Sequence, residues 1–399
     1  MSQKLIITKL DRHIVSAIYD GNEMLQVNLD KEENKSILGN IYVGKVKNIV
    51  KNIDAAFVEI ADGKMCYLAL NENPSPIFVK PKSNNRILVG DELLVQIAKE
   101  DVKSKAPVAT TNLNFTGKYC VLIHGKPTVG VSAKIADDAE RKRLKDIAKK
   151  YVGDSYGFIV RTNAMNISEE RIEEEIQVLI KQYTDVKEFG IHKIPFSLIH
   201  QTPPGFICDI RDGFADCIEE ILTDDQKLYD HIRSYLIHYQ KEDLPKLKFY
   251  KDELISLASL YNVRSRLEHA LMGKVWLKSG GTIIIQPTEA LTVIDVNTGK
   301  AISGKKKTQD TFFKINMEAA KEIAKQIRLR NLSGIIIIDF IDMELKEYKD
   351  CLMKELEGLF RMDPIKTTLV DMTPLNLVEV TRKKVRKPLY EQFYNEKGS

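Results

Sequence analysis

Two short apolar runs, Leu291 to Ile294 and Ile335 to Ile338, each stop at an aspartate, Asp295 and Asp339. Residues 316–330, between them, carry apolar side chains at helical spacing. A further strand is predicted at 282–285. Strand, helix, strand in that order, with the strands largely apolar, predicts an α/β layer around a buried sheet. In such sheets ligands gather at the carboxyl ends of the strands. Adjacent strands ending together would therefore bring Asp295 and Asp339 to one point. Strand geometry has period two, so Asn297 shares the face of Asp295.

That arrangement carries chemistry. Two close carboxylates repel unless something neutralises them. Mg²⁺ does so with one or two carboxylates, completing its shell with waters and phosphate oxygens. A magnesium ion there suits hydrolysis of a phosphodiester. Asn297 cannot act as a base, but it can orient Asp295 or donate to a phosphate oxygen. Asp342 is either a supporting residue of the same centre or a cap. The competing reading is that these acids merely end strands. For one aspartate that reading is the stronger, and two such motifs within one α/β unit weaken it.

The remainder divides by pattern. Residues 1–35 read as a three-strand meander, with strands near 5–7, 14–18 and 24–29 and a turn at Asp20-Gly21-Asn22. Residues 36–116 consist of short β-rich runs cut by Gly39, Gly44, Gly63 and Gly90, which predicts a small barrel. Residues 117–205 mix types, with helices at 136–151 and from Ser168 through 181, and a strand at 157–161. Pro203-Pro204-Gly205 breaks the pattern. Residues 206–270 are read as a weak strand followed by helices, one spanning 252–271, and residues 271–399 hold the α/β layer.

Composition limits the alternatives. The chain of 399 residues, 43% hydrophobic and 29% charged, fits several globular cores rather than a disordered or fibrous chain. The net charge is only +4, so any affinity for nucleic acid must come from local clusters. Five cysteines with no CxxC pair argue against a disulfide framework or a cysteine zinc site. No signal-peptide core and no apolar run of membrane length are found, so a cytoplasmic protein is expected.

Three segments carry a resemblance: Thr288-Glu-Ala-Leu-Thr-Val-Ile-Asp-Val-Asn297, the helix 316–330, and Gly334-Ile-Ile-Ile-Ile-Asp-Phe-Ile-Asp-Met343. Together they resemble the core motifs of the ribonuclease E/G family, and the likeness runs from Gly39 to about Arg386. The resemblance implies a multidomain α+β and α/β fold. Its parts would be an RNase H-like region (1–35 and 206–270), an inserted S1-type OB barrel (36–116), a 5′-phosphate sensor (117–205) and a DNase I-like catalytic region (271–399). It implies an Mg²⁺-dependent endoribonuclease for single-stranded RNA, leaving 5′-phosphate and 3′-hydroxyl ends, in RNA decay or rRNA and tRNA processing. Asp295 and Asp339 would hold the metal, with Asn297 assisting.

The same resemblance assigns RNA contacts. Phe57 and Tyr67 stand where the family stacks bases, Tyr67 in place of the commoner Phe, and base stacking adds roughly 1–3 kcal/mol per base. On residue type alone, Phe57 between Ala56 and Val58 also fits a core position. Lys99 and Lys105 match barrel lysines that meet the RNA. Arg161 and Thr162, after Gly157-Phe-Ile-Val, match the family's phosphate-sensing strand, and a guanidinium fork suits a terminal phosphate. Gly117 and Val121 match the other wall of that pocket. The resemblance thus implies a preference for 5′-monophosphorylated RNA, although a lone Arg-Thr pair also fits a structural ion pair.

Basic clusters at Lys305-Lys306-Lys307 and 382–387 are further candidates for phosphate contacts. Two departures matter. The Cys-Pro-x-Cys zinc link and small domain that follow in most members are not in the sequence, so a homodimer stays open but no zinc-linked assembly is expected. Pro374 stands where some members place an RNA-contacting arginine. The alternatives are a non-catalytic single-stranded RNA-binding adapter and a nuclease acting on DNA.

Overall fold

The computed structural model describes residues 3–32, 36–100, 106–213, 217–299 and 309–394. It is a mixed α and β structure in two units: residues 1–32, 216–234 and 242–399 in one, residues 33–215 and 235–241 in the other.

The first unit contains two sheets. Strands Gln3–Leu10, His13–Asp20 and Glu23–Lys31 form an antiparallel meander, which Ile218–Thr223 and Leu247–Phe249 extend in parallel. The second sheet has six strands in the order Lys274–Trp276, Thr282–Pro287, Leu291–Asn297, Gly334–Asp339, Leu377–Arg382, Thr367–Met372. Leu291–Asn297 and Gly334–Asp339 are parallel neighbours, joined through the helix Gln309–Leu329. That helix buries Ile315, Ala319, Ala320, Ile323 and Ile327, spaced along one stripe. The helix Lys346–Arg361 buries Leu352, Leu356 and Phe360 in the same manner. Both share a core with Ile283, Ile285, Ile294, Val296, Ile336, Ile338, Val378 and Val380. One face of the sheet is thereby closed.

The second unit contains a closed five-strand barrel. Ile41–Val50, Ala55–Ala61, Lys64–Ala69, Val108–Thr110 and Glu92–Lys99 pair in sequence around it, and Glu92–Lys99 returns to Ile41–Val50. Ala56, Val58, Cys66, Leu68, Leu93 and Val95 fill it. Gly44 is required there, because a Cβ would lie 2.5 Å from a Val58 methyl. A four-strand sheet, Val129–Val131, Tyr156–Val160, Cys120–His124 and Asn114–Thr116, packs with the helices Asp138–Lys149 and Glu169–Gly190 around a separate core.

Two expectations are corrected. Residues 206–210 form a helix, Gly205–Asp212, not a strand. Phe206, Ile207, Cys208 and Ile210 are all buried, and a short helix buried nearly all round has the same apolar run as a strand. The single helix expected over 252–271 is two, Leu257–Leu260 and Val263–Leu271, because Asn262 between them adopts a left-handed conformation (φ 49°). None of the five cysteines is in a disulfide, and among the described residues no helix is long and apolar enough to cross a membrane.

Candidate active site

The register of two strands sets the centre. Ile294 lies opposite Ile338, and Asp295 opposite Asp339. Ile294 and Ile338 point into the helical core, so the next residues point the other way. Asp295 is half-buried and Asp339 and Asn297 are exposed on that second face. Asn297 Nδ2 donates to Asp295 Oδ2 at 2.6 Å, fixing the carboxylate.

The loop after Asp339 is held from beneath. Asn316, fully buried in its helix, donates to the Ile341 carbonyl at 2.8 Å and accepts from the Ile341 N–H at 3.1 Å. Asn376 Nδ2 donates to Asp342 Oδ1 at 3.1 Å and its own Oδ1 accepts from Lys349 Nζ at 2.7 Å. Asp342 is thus a held acid beside the pair rather than a helix cap.

The Asp339 carboxyl is raised from its ordinary value, first by desolvation, then by the charges of Asp295 and Asp342, and among the described residues no basic group acts against this. Among the described residues, no set of three or more His, Cys, Asp or Glu side chains is arranged to grip a metal. The donor set is two carboxylates on adjacent strands with a third acid nearby. That suits a hard, largely hydrated cation such as Mg²⁺ and not a closed zinc site.

The barrel settles the position of Phe57. Its neighbours Ala56 and Val58 belong to the core, and Phe57 is half-exposed on the outer wall. It pairs directly with Tyr67, ring centroids 6.2 Å apart and nearly perpendicular. Tyr67 in turn lies opposite Val108, and Val108 opposite Lys99, which is exposed. Phe57, Tyr67 and Lys99 therefore lie in one row across the barrel wall. Lys105 and Lys305-Lys306-Lys307 lie outside the described residues.

Arg161 directly follows the strand Tyr156–Val160. Its Nη1 donates to the Gly117 carbonyl at 2.6 Å, and its Nη2 meets Asp212 Oδ1 at 2.8 Å. Arg211 grips the same carboxylate with two bonds of 3.0 and 2.9 Å. Burial alone would raise the Asp212 carboxyl, but Arg211 and Arg161 outweigh it and hold it at about 2. Thr162 Oγ1 lies 2.9 Å from Ser132 Oγ, and Val121 lies on the adjacent strand, paired with Ile159. Beneath them the Glu175 carboxylate accepts from the N–H groups of Lys118, Tyr119 and Cys120 at 2.6–2.8 Å. Gly117 is needed there, since a Cβ would stand 2.5 Å from that carboxylate. Sequence reasoning missed Glu175, Arg211 and Asp212. Glu175 is hidden in an acidic helix start, and the other two follow a segment read as a strand.

One basic cluster is partly structural. Arg382 is buried, bonded to Asp363 at 2.7 Å, Asn331 at 2.8 Å and the Leu332 carbonyl at 3.0 Å. It is not available to a phosphate. Pro374 lies in the connection before the strand Leu377–Arg382.

With strand register, open acidic face and barrel in place, comparison with known proteins defines the class. A sequence profile described as "Ribonuclease E/G family" matches residues 114–385, and the chain belongs to that family. Among its relatives, a protein named Ribonuclease G from Salmonella typhimurium (strain SL1344) is 33% identical over 99% of this chain and 83% of its own length. Ribonuclease G of Haemophilus influenzae is 31% identical over 94% of this chain and 78% of its own. Ribonuclease E of a Nostoc species is 30% identical over 98% of this chain but only 57% of that longer protein.

Proposed function

We propose that this chain cleaves single-stranded RNA internally at a magnesium ion held by Asp295 and Asp339. Membership of the ribonuclease E/G family supports the broader statement by itself: the chain is an endoribonuclease, a hydrolase of RNA phosphodiester bonds. The finer reading is carried by one observation, the in-register pairing of Asp295 with Asp339 on the open sheet face. When bound, Mg²⁺ supplies an activated water and offsets negative charge developing at phosphorus.

The protein's own groups do the rest. Asp295 and Asp339 hold the ion, and Asn297 keeps Asp295 in one orientation through its 2.6 Å bond. Asn316 anchors the loop that carries Asp342 beside them. In the barrel, Phe57 and Tyr67 offer aromatic faces to unpaired bases, with Lys99 in the same row for the backbone. Arg161 and Thr162, with Gly117 and Val121 as the facing wall, give a preference for 5′-monophosphorylated RNA. Cleavage leaves a 5′-phosphate and a 3′-hydroxyl, and the biological roles are RNA decay or maturation of rRNA and tRNA.

One assay tests this. Incubate the protein with a 5′-labelled single-stranded RNA and its DNA counterpart, with Mg²⁺ or with EDTA, and repeat with Asp295→Asn and Asp339→Asn. Internal cuts in RNA alone, lost in EDTA and in both variants, are expected. Binding without cuts would make the chain an RNA adapter, and equal cutting of DNA would overturn the substrate class.

A further inference from the structure

Cross-strand register continues beyond the two aspartates. Asp295 lies opposite Ile284, and Ile284 opposite Lys274. One step along, Asn297 lies opposite Thr282, and Thr282 opposite Trp276. Residues directly opposite each other in a sheet share a face. Lys274 and Trp276 thus stand on the face of Asp295, Asp339 and Asn297, at the same end of the sheet. Strand spacing puts them about 10 Å from Asp295 and Asn297.

Trp276 is the only tryptophan in the chain, and 60% of it is exposed. Tryptophan is usually well buried, so a largely exposed indole on an edge strand calls for a partner. Lys274 Nζ lies 4.4 Å from the ring centroid, which places a cation against the same aromatic surface. On the other side of the carboxylate pair, the same face carries Leu377 opposite Asp339 and, one step back, Glu379 opposite Ile337. Among these residues, positive charge and an aromatic platform lie on the Lys274 side only. On the Leu377 side the Lys349 ammonium is engaged by Asn376, so a polyanion crossing the carboxylates meets a cation and an aromatic platform together only on the Lys274 side of these residues.

We infer that Lys274 and Trp276 extend the active-site face into a seat for an unpaired nucleotide next to the scissile phosphate, the indole stacking on its base and the ammonium meeting its backbone. This inference rests on the proposed cleavage of single-stranded RNA, and it names where the substrate strand runs.

The lone indole makes the test direct. Add a 5′-fluorescein oligouridylate to the whole protein in EDTA, and follow label anisotropy and tryptophan emission together. Emission should be quenched in step with the rise in anisotropy. Anisotropy that saturates while emission stays unchanged overturns the seat but leaves RNA binding intact, whereas no rise in anisotropy overturns both. As a second readout, Trp276→Leu should raise KM about tenfold with kcat little changed, and Trp276→Phe should restore most of the loss. Equal KM for wild type and Trp276→Leu, or a Phe variant no better than Leu, also overturns the seat.

Discussion

On the open face of the six-stranded sheet, desolvation and then the charges of Asp295 and Asp342 raise the Asp339 carboxyl, and among the described residues no basic group counters them. At the end of the strand Tyr156–Val160, by contrast, Arg161 and Arg211 are already closed on Asp212. In the first cluster, among the described residues, neither Asp295 nor Asp339 has a basic partner. The second is neutralised from within, and an incoming anion has to displace or bypass a resident carboxylate. Under the proposed function, a cation is a condition of the first site working, whereas the second discriminates among anions. That contrast gives a graded set of expectations.

The largest effect is expected where charge is uncompensated. Asp339→Asn should cut turnover by about 10²-fold or more while the thermal midpoint holds or rises slightly, because the substitution relieves repulsion. A variant that unfolds instead would mean that the carboxylate is structural. Asn297→Ala should cost less, roughly 10–100-fold, by freeing Asp295 to rotate. At the second site, Arg161→Ala should remove the advantage of 5′-monophosphate over 5′-hydroxyl RNA. Its lost charged hydrogen bonds are worth about 1.5–3 kcal/mol, read as the ratio of cleavage rates on the two substrates. Equal wild-type rates would refute the sensor.

The smallest effect sharpens the comparison most. Asp212→Asn removes the competing carboxylate, and a part-exposed pair is worth up to about 1 kcal/mol. The 5′-monophosphate preference should therefore rise by no more than about fivefold. A fall would show that Asp212 positions Arg161 rather than competing for it. The pH dependence has a definite sign. A carboxyl held down at about 2 keeps its ion pairs at every pH above the ordinary carboxylate range and loses them only as pH falls toward that value. Between pH 5 and 8 Asp212 stays charged, so the preference should instead climb with the second ionisation of the terminal phosphate, near pH 6.

The same contrast explains what the sequence could disclose. The α/β layer was legible because 291–294 and 335–338 are almost wholly apolar and the helix between them repeats its buried positions. Asp295 and Asp339 were legible because each ends such a run. The barrel followed from short β runs cut by glycines, but the outward position of Phe57 needed the strand register. The Asp212 contacts could not be read in advance. They depend on a helix, Gly205–Asp212, whose apolar run has no helical period to distinguish it. Glu175 is one of several glutamates in its helix, and only the fold turns it toward three backbone N–H groups. Arg382 looked like part of a basic surface and is a buried partner of Asp363. Trp276 stands on a three-residue edge strand too short to announce itself.

Whether Asp295 and Asp339 serve one shared ion can be measured as a double-mutant cycle in cleavage of a single-stranded RNA across a range of Mg²⁺ concentrations. The expected result is that Asp295→Asn and Asp339→Asn each raise the Mg²⁺ needed for half-maximal rate, and that the double variant is hardly worse than the poorer single one. Losses that simply add, or a Mg²⁺ requirement untouched by either substitution, would contradict a common cation.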